Sequence, residues 1–479
     1  MPAPSRTRLA QSLKRTLPPF LVTIMRRLYI AGLTVHRTAK IFTRGLRGLG
    51  RPRYNIFSGT TTWSEIWVAL RSLAGQTPLV DGPDIVEYEK CFAEATDTRY
   101  AFSFASGRMS LYAILEVLGI GPGDEIILPA FTCVVVPNAM IYRGVKPVYV
   151  DIEPGTCNID VVKIEEKITP QTRAIYAQHT FGIVCDMDGI SKIAEKHGLF
   201  VIEDCAHALG ASLNGRMAGS LGHVAYFSTD HSKVISTSTG GIITCSDPEL
   251  ARKIAEVQRS TPFLSPKFIR SILWTFIIEY ILFHPRLLSL GSVIHTELGT
   301  RGRLFYFYDE LMTAKPSSYP YPARLSNAQA KIGISQIKGL GGNIARRRAL
   351  ALLYDKEIGA YKKALNGDFS SSTFLLYTFL VRDRDAWTEH LSPVLNMGIW
   401  FTSVCGGREC NLHEVGFEEG SCPVAEQVVK HCINLPTHLR LRDPHPLLEL
   451  LRDARKQGQE RLELLNPGTL PTLRQREVG

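Results

Sequence analysis

The first 53 residues contain no aspartate or glutamate, yet they hold twelve lysines and arginines between Arg6 and Arg53. The whole chain has 55 basic and 45 acidic residues, so the remainder carries 43 against 45, about −2. The net charge of +10 therefore belongs to an N-terminal extension, and no nucleic-acid partner is expected for the body. Cys-x-x-Cys pairs are also missing. Ten cysteines are scattered from Cys91 to Cys432, a pattern that fits reduced thiols in a cytoplasmic protein. Cys405 and Cys410 are neighbours without a second ligand pair, so no metal is expected. No apolar run is long and unbroken enough to span a bilayer comfortably: Arg26 and Arg27 divide the first candidate, and Arg270 and Glu279 interrupt residues 268–283. No internal repeat is present.

What remains is a globular composition, 45% hydrophobic and 21% charged over 479 residues, enough for two or three domains. Short apolar runs at 124–128, 147–151, 174–177, 199–202, 224–227 and 242–245 are rich in β-branched or aromatic residues and alternate with helical stretches such as 109–118 and 190–197. Runs of that kind predict buried strands of a mostly parallel sheet, so the fold class is α/β. The predicted division is an amphipathic basic extension (1–54), a large α/β domain (55–261), an apolar insert and linker (262–325), a smaller α+β C-terminal domain (326–465) and a frayed tail (466–479). Within the smaller domain, helices are expected at 328–339, 346–365 and 446–465, and strands at 373–381 and 399–402.

The extension alternates basic pairs with apolar stretches at 20–25 and 28–35, which suits a segment lying on an anionic membrane surface. A disordered basic tail and an acid-poor targeting peptide are the competing readings. Residues 262–295 likewise read as a buried hairpin, a dimer contact or a second element at the membrane interface.

Chemistry is signalled at three places. Lys233 follows an apolar run within Tyr226-Phe-Ser-Thr-Asp-His-Ser-Lys233, beside Ser228 and ahead of Gly240 and Gly241. A lone lysine is ordinarily a solvated surface charge. In Val201-Ile-Glu-Asp-Cys-Ala-His207, Asp204 ends a buried strand. Pyridoxal phosphate needs an acid at its ring nitrogen, because a protonated ring is the electron sink that stabilises a carbanion on the substrate. The bland alternative for Asp204 is a helix N-cap. Ala105-Ser-Gly-Arg108 opens a helical stretch, where backbone N–H groups can seat a phosphate and glycine permits close approach.

In the order and spacing of these segments the chain resembles the DegT/DnrJ/EryC1/StrS sugar aminotransferases, fold type I pyridoxal-phosphate enzymes. Matching stretches include Leu118-Gly-Ile-Gly-Pro-Gly-Asp-Glu-Ile-Ile-Leu-Pro129, Gly144-Val-Lys-Pro-Val-Tyr-Val-Asp151, Phe181-Gly-Ile-Val-Cys-Asp-Met-Asp188 and Asn434-Leu-Pro436. The resemblance implies that Lys233 forms a Schiff base with the cofactor and moves the proton, and that Asp204 pairs with the ring nitrogen. It also implies that Gly107, Arg108 and Ser228 hold the phosphate, and that His207 stands near the phenolic oxygen where glutamine is usual. Three departures stand out. Arg108 replaces a small hydroxyl residue, Cys133 replaces an aromatic ring that stacks on the cofactor, and Pro322 replaces an asparagine that reaches across the dimer.

By the same resemblance the expected reaction transfers an amino group from glutamate or glutamine to a keto-sugar bound to a nucleotide, in a homodimer. Two alternatives remain open: a pyridoxal-phosphate sugar dehydratase, against which Lys233 itself argues because those relatives carry histidine there, and a membrane-docked scaffold without catalysis.

Overall fold

The computed structural model describes residues 50, 52–56, 59–361, 365, 368–457 and 462–466. Most of the predicted extension and nearly all of the predicted tail lie outside the described residues. Seven strands form the main sheet: β1 (Tyr100–Phe104), β2 (Glu125–Pro129), β3 (Lys146–Val150), β4 (Thr172–Gln178), β5 (Phe200–Asp204), β6 (Val224–Ser228) and β7 (Gly241–Cys245). Their order across the sheet is β1-β7-β6-β5-β4-β2-β3. Only β7 runs antiparallel to its neighbours; the other pairings are parallel. Helices cover both faces of such a sheet, which is why its strands read as unbroken apolar runs rather than alternating ones.

Local signals set the helices that frame the sheet. α1 (Trp63–Leu73) opens with a capping box between Thr62 and Glu65. α2 (Asp84–Ala95) follows, and α3 (Gly107–Val117) starts directly behind β1, capped by the Ser106 hydroxyl. α4 (Met187–His197) stops at Gly198, whose left-handed backbone (φ 65°) terminates the helix without a Cβ penalty. α5 (Pro248–Ser260) follows β7.

The insert forms a helical pair, α6 (Pro266–Leu282) and α7 (Leu288–Thr300). Ile269, Ile272, Leu273, Phe276 and Ile277 of α6 join the main core, so the inner face of the run is buried packing. Glu279, which interrupts the run in sequence, is buried and accepts a hydrogen bond from the Tyr306 hydroxyl. Among the described residues no helix is long and apolar enough to cross a membrane.

C-terminal to the insert lie α8 (Asn327–Lys338) and α9 (Leu340–Ile358). α9 ends seven residues before the predicted helix does, because Gly359 adopts a left-handed backbone (φ 76°) and closes it. The strand predicted at 373–381 is β8 (Leu376–Leu380), paired antiparallel with β9 (Cys432–Pro436). Residues 399–402 are not a strand; Trp400 and Phe401 instead face the cavity described below. The final helix, α10 (His445–Gln457), is shorter than predicted, and Leu464 bridges to Val381.

A second core around Tyr354, Tyr377, Trp387 and Leu435 belongs to this part of the chain, with Tyr54 and Ile183 reaching into it. Contacts near residues 54 and 327 tie distant parts of the chain together. Tyr54 and Asn55 pair with Leu395 and Asn396. At the start of α8, Asn327 donates to the Pro78 carbonyl (3.0 Å) and to Asp84 (2.9 Å).

Candidate active site

Parallel strands end on one side of the sheet, and that edge gathers the predicted chemistry. Gly107, Arg108, Cys133, Asp204, His207, Ser228 and Lys233 all line one cavity of about 280 Å3. A larger cleft of about 650 Å3, between Pro154, Tyr361 and Leu464, has no charged side chain in its lining and offers no comparable chemistry.

Asp204 closes β5, and Lys233 lies in the loop after the adjacent β6. The Asp204 carboxylate is held from two directions: Tyr176 donates its hydroxyl to Oδ2 at 2.5 Å, and the Ala206 N–H donates to Oδ1 at 2.9 Å. The Tyr226 and Tyr176 hydroxyls are 2.5 Å apart, which extends the chain of hydrogen bonds. Burial, then the Asp204 carboxylate, push both phenols well above their ordinary range, so both stay protonated. Burial lowers the Lys233 amine, with Asp230 working in the opposite direction. Its Nζ lies 4.6 Å from the Trp400 ring centre.

His207 is stacked between Phe181 (5.7 Å, 2°) and Trp400 (5.4 Å, 20°). Its Nδ1 accepts the Phe181 N–H at 3.3 Å, which assigns the proton of the neutral ring to Nε2. Burial, then Lys233, hold the imidazole well below its ordinary pKa, so the ring is a neutral donor. Cys133 lines the same cavity, and the aromatic surface it lacks is present in Trp400 and Phe401.

Opposite Lys233, α3 begins beside β6 and β7 in very close contact. A Cβ on Gly107 would stand 3.0 Å from Ser228 Cβ, and one on Gly241 would stand 2.3 Å from the Ser106 carbonyl oxygen. Glycine at both positions lets the helix N-terminus and the Ser228 hydroxyl share one cradle. Arg108 overlooks this cradle and is held by Glu310, from the segment that follows α7, Nε to Oε2 at 2.5 Å. Burial raises the fully buried Glu310 carboxyl to about 7, Arg108 working the other way. Asn138 fixes the Glu310 carbonyl from behind at 3.0 Å.

The segment after α7 also lines the cavity directly through Tyr306, Phe307, Tyr308 and Leu311. Beside them Asp230 and His231 pair at 2.6 Å. Burial lowers the imidazole, but Asp230 more than offsets it and raises His231 to about 9 from 6.5. Stability from this raised basic group is fully present below pH 6.5 and is lost as pH rises through 9. The melting temperature is expected to fall across that window, and to fall less in His231→Gln; equal slopes in a thermal scan would refute the assignment.

Beneath the site, His179, Glu203 and Cys205 lie close enough to hold a metal. Their polar atoms are otherwise engaged. Glu203 accepts the N–H groups of Gly219, Leu221 and Gly222 at 2.6–2.9 Å and pairs with His179 at 3.0 Å. Burial pushes the Cys205 thiol well up, so it keeps its proton. This cluster is structural and braces the end of β5.

A lysine and a carboxylate at the carboxyl ends of adjacent strands, facing a helix N-terminus across a sheet of this order, define a fold type I pyridoxal-phosphate enzyme. Glycine-lined space for a phosphate, a buried amine and an acid in one cavity fit that group. The chain belongs to the DegT/DnrJ/EryC1/StrS aminotransferase family, whose model matches residues 63–266 and 298–445. The unmatched stretch between them contains nearly all of α6 and most of α7.

Among relatives, the spore coat polysaccharide biosynthesis protein SpsC of Bacillus subtilis is 30% identical over 396 residues, 79% of this chain and 91% of SpsC. GDP-perosamine synthase of Caulobacter vibrioides is 45% identical over 173 residues, 36% of this chain and 47% of that relative, so the match spans about half of its length. An aminotransferase structure from Psychrobacter cryohalolentis has a TM-score of 0.64 at 23% identity, covering 84% of this chain and 98% of its own, and shows the fold. The protein is a pyridoxal-phosphate-dependent aminotransferase.

Several residues of the site carried no sequence signal. Tyr176 lies inside an ordinary apolar strand, Trp400 in a run that reads as a strand, and Glu310 in a stretch with no motif of its own. Asp230 and His231 lie within the lysine segment itself, yet nothing in the sequence singles them out.

Proposed function

We propose that the chain moves an amino group from glutamate or glutamine onto a nucleotide-linked keto-sugar for glycan or secondary-metabolite biosynthesis. The observation that carries this reading is the buried amine of Lys233 in one cavity with Asp204 and the glycine-lined cradle. The names of the relatives support it: GDP-perosamine synthase is named for a nucleotide sugar and SpsC for polysaccharide synthesis.

When bound, pyridoxal phosphate supplies an electron sink for the carbon that loses its proton. Gly107, Ser228 and Arg108 would hold its phosphate, the first two through the cradle and the third as a cation fixed by Glu310. Asp204, oriented by Tyr176 and Ala206, would pair with the ring nitrogen. His207 would offer its Nε2–H to the phenolic oxygen, and Trp400 would provide the aromatic face that Cys133 does not. Lys233 would anchor the group and carry a proton from the donor's carbon; burial lowers its amine pKa, which favours the neutral form that a base requires.

A dehydratase is disfavoured by Lys233 and a pure scaffold by the intact cavity. The proposal includes a cytoplasmic location, supported by ten free cysteines, peripheral attachment to a membrane, the homodimer implied by the resemblance, and the domain limits given above. The deciding experiment is a coupled assay across nucleotide-linked keto-sugars with glutamate and glutamine as donors. Absence of transamination with every acceptor, in protein that carries the cofactor, would overturn the substrate assignment. Light scattering of the purified chain decides the dimer.

The cradle gives a further test. Gly241→Ala is expected to weaken cofactor retention by about tenfold or more, since overpacking of this kind costs about 1–3 kcal/mol. Equilibrium dialysis followed by visible absorbance reads it, and unchanged retention would remove the cradle from the phosphate site.

A further inference from the structure

Five large apolar side chains are exposed near one another: Trp63 (59%), Trp67 (55%), Trp274 (51%), Ile281 (50%) and Leu287 (39%). Trp63 and Trp67 stand one turn apart on α1, and Trp274 and Ile281 two turns apart on α6. The two helices pack together, with the Trp63 ring 5.9 Å from Tyr280. Leu287 lies in the turn after α6, where the N-terminal chain arrives: the Gly50 N–H donates to the Arg286 carbonyl at 3.2 Å and the Arg53 N–H to the Pro285 carbonyl at 3.0 Å. Residues 1–49, with ten basic side chains and no acidic one, therefore start at the edge of this apolar face. Lys267, Arg270 and Arg286 are exposed around it, and the only acid of α6, Glu279, is turned into the protein.

We propose that the face formed by Trp63, Trp67, Trp274, Ile281 and Leu287 docks on an anionic lipid bilayer. The inference rests on the peripheral location proposed above and specifies the surface. Charge decides between occupants. If residues 1–49 folded back over the face, ten positive charges would meet Lys267, Arg270 and Arg286. A twofold-related second copy would likewise set this basic rim against itself. An anionic bilayer satisfies both features: indole rings settle at the headgroup level and basic side chains pair with lipid phosphates.

The test is flotation of the full-length holoenzyme with vesicles of phosphatidylcholine alone or mixed with phosphatidylglycerol. Wild-type protein is expected to float only with the anionic mixture, and less at high salt. The combined variant Trp63→Ser, Trp67→Ser, Trp274→Ser is expected to lose about tenfold or more in apparent affinity while its cofactor absorbance stays that of wild type. Lys267→Glu with Arg270→Glu is a second variant that leaves the apolar residues in place and is expected to weaken binding as well. If wild type floats and both variants match it, the face is not the docking surface, although the location survives through residues 1–49. If wild type does not float, surface and location both fall. If the variants change the molecular mass in light scattering and not the flotation, the face seats a second copy and the proposal is overturned.

Discussion

Lys233→Ala is expected to reduce transamination by at least about a thousandfold, the magnitude that follows from removing a group that acts both as covalent anchor and as proton carrier. The reason is positional. The residue follows β6, is lowered in pKa by burial, and shares its cavity with Asp204 and His207. The variant should also lose the label left by borohydride reduction of cofactor-supplied protein, which peptide mapping is expected to locate at Lys233 in the wild type. A wild-type map with Lys233 unmodified would dispose of the proposed enzymology, whatever the variant did.

Asp204→Asn should have the next largest effect, a fall in kcat of about a hundredfold or more, because the acid facing the ring nitrogen sets how well the cofactor accepts electrons. The loss is expected mainly in kcat rather than in donor KM, since the proposed partner of Asp204 is the cofactor ring and not the amino acid. Single-turnover measurement of the donor half-reaction separates the two. The hydrogen-bond chain through Tyr226 and Tyr176 makes a second comparison possible: Tyr176→Phe removes the 2.5 Å donor and leaves the carboxylate in place. Its effect should be smaller than that of Asp204→Asn. A kcat for Asp204→Asn within threefold of wild type, allowing roughly for assay error, would remove Asp204 from its role.

The sequence pattern exposed the sheet because parallel strands bury both faces, and runs such as 242–245 have no other economical use. It exposed Lys233, Asp204 and Gly107 because order and spacing carry information that a single residue does not. It could not expose Trp400, whose place in the cavity depends on how the C-terminal body folds back on the first one. Nor could it expose Glu310, whose partner Arg108 lies about two hundred residues earlier in the chain. Helix ends followed local chemistry, as at Gly359, and the prediction at 346–365 overran because apolar periodicity outlasted the stop signal. The sequence left residues 262–295 open between buried packing, a dimer contact and a membrane contact; in the structure α6 has a face that packs and a face that is exposed.

The bridge between Arg108 and Glu310 has a practical corollary. The guanidinium at the cradle and the carboxylate of the segment that follows α7 form one pair, so neither is removed without stranding the other. Trimming the chain between α5 and α8 to make a minimal enzyme would strand a cation at the cofactor's doorstep, at a cost of about 3–5 kcal/mol for breaking such a pair from one side. A trimmed protein therefore calls for serine or threonine at position 108 as well.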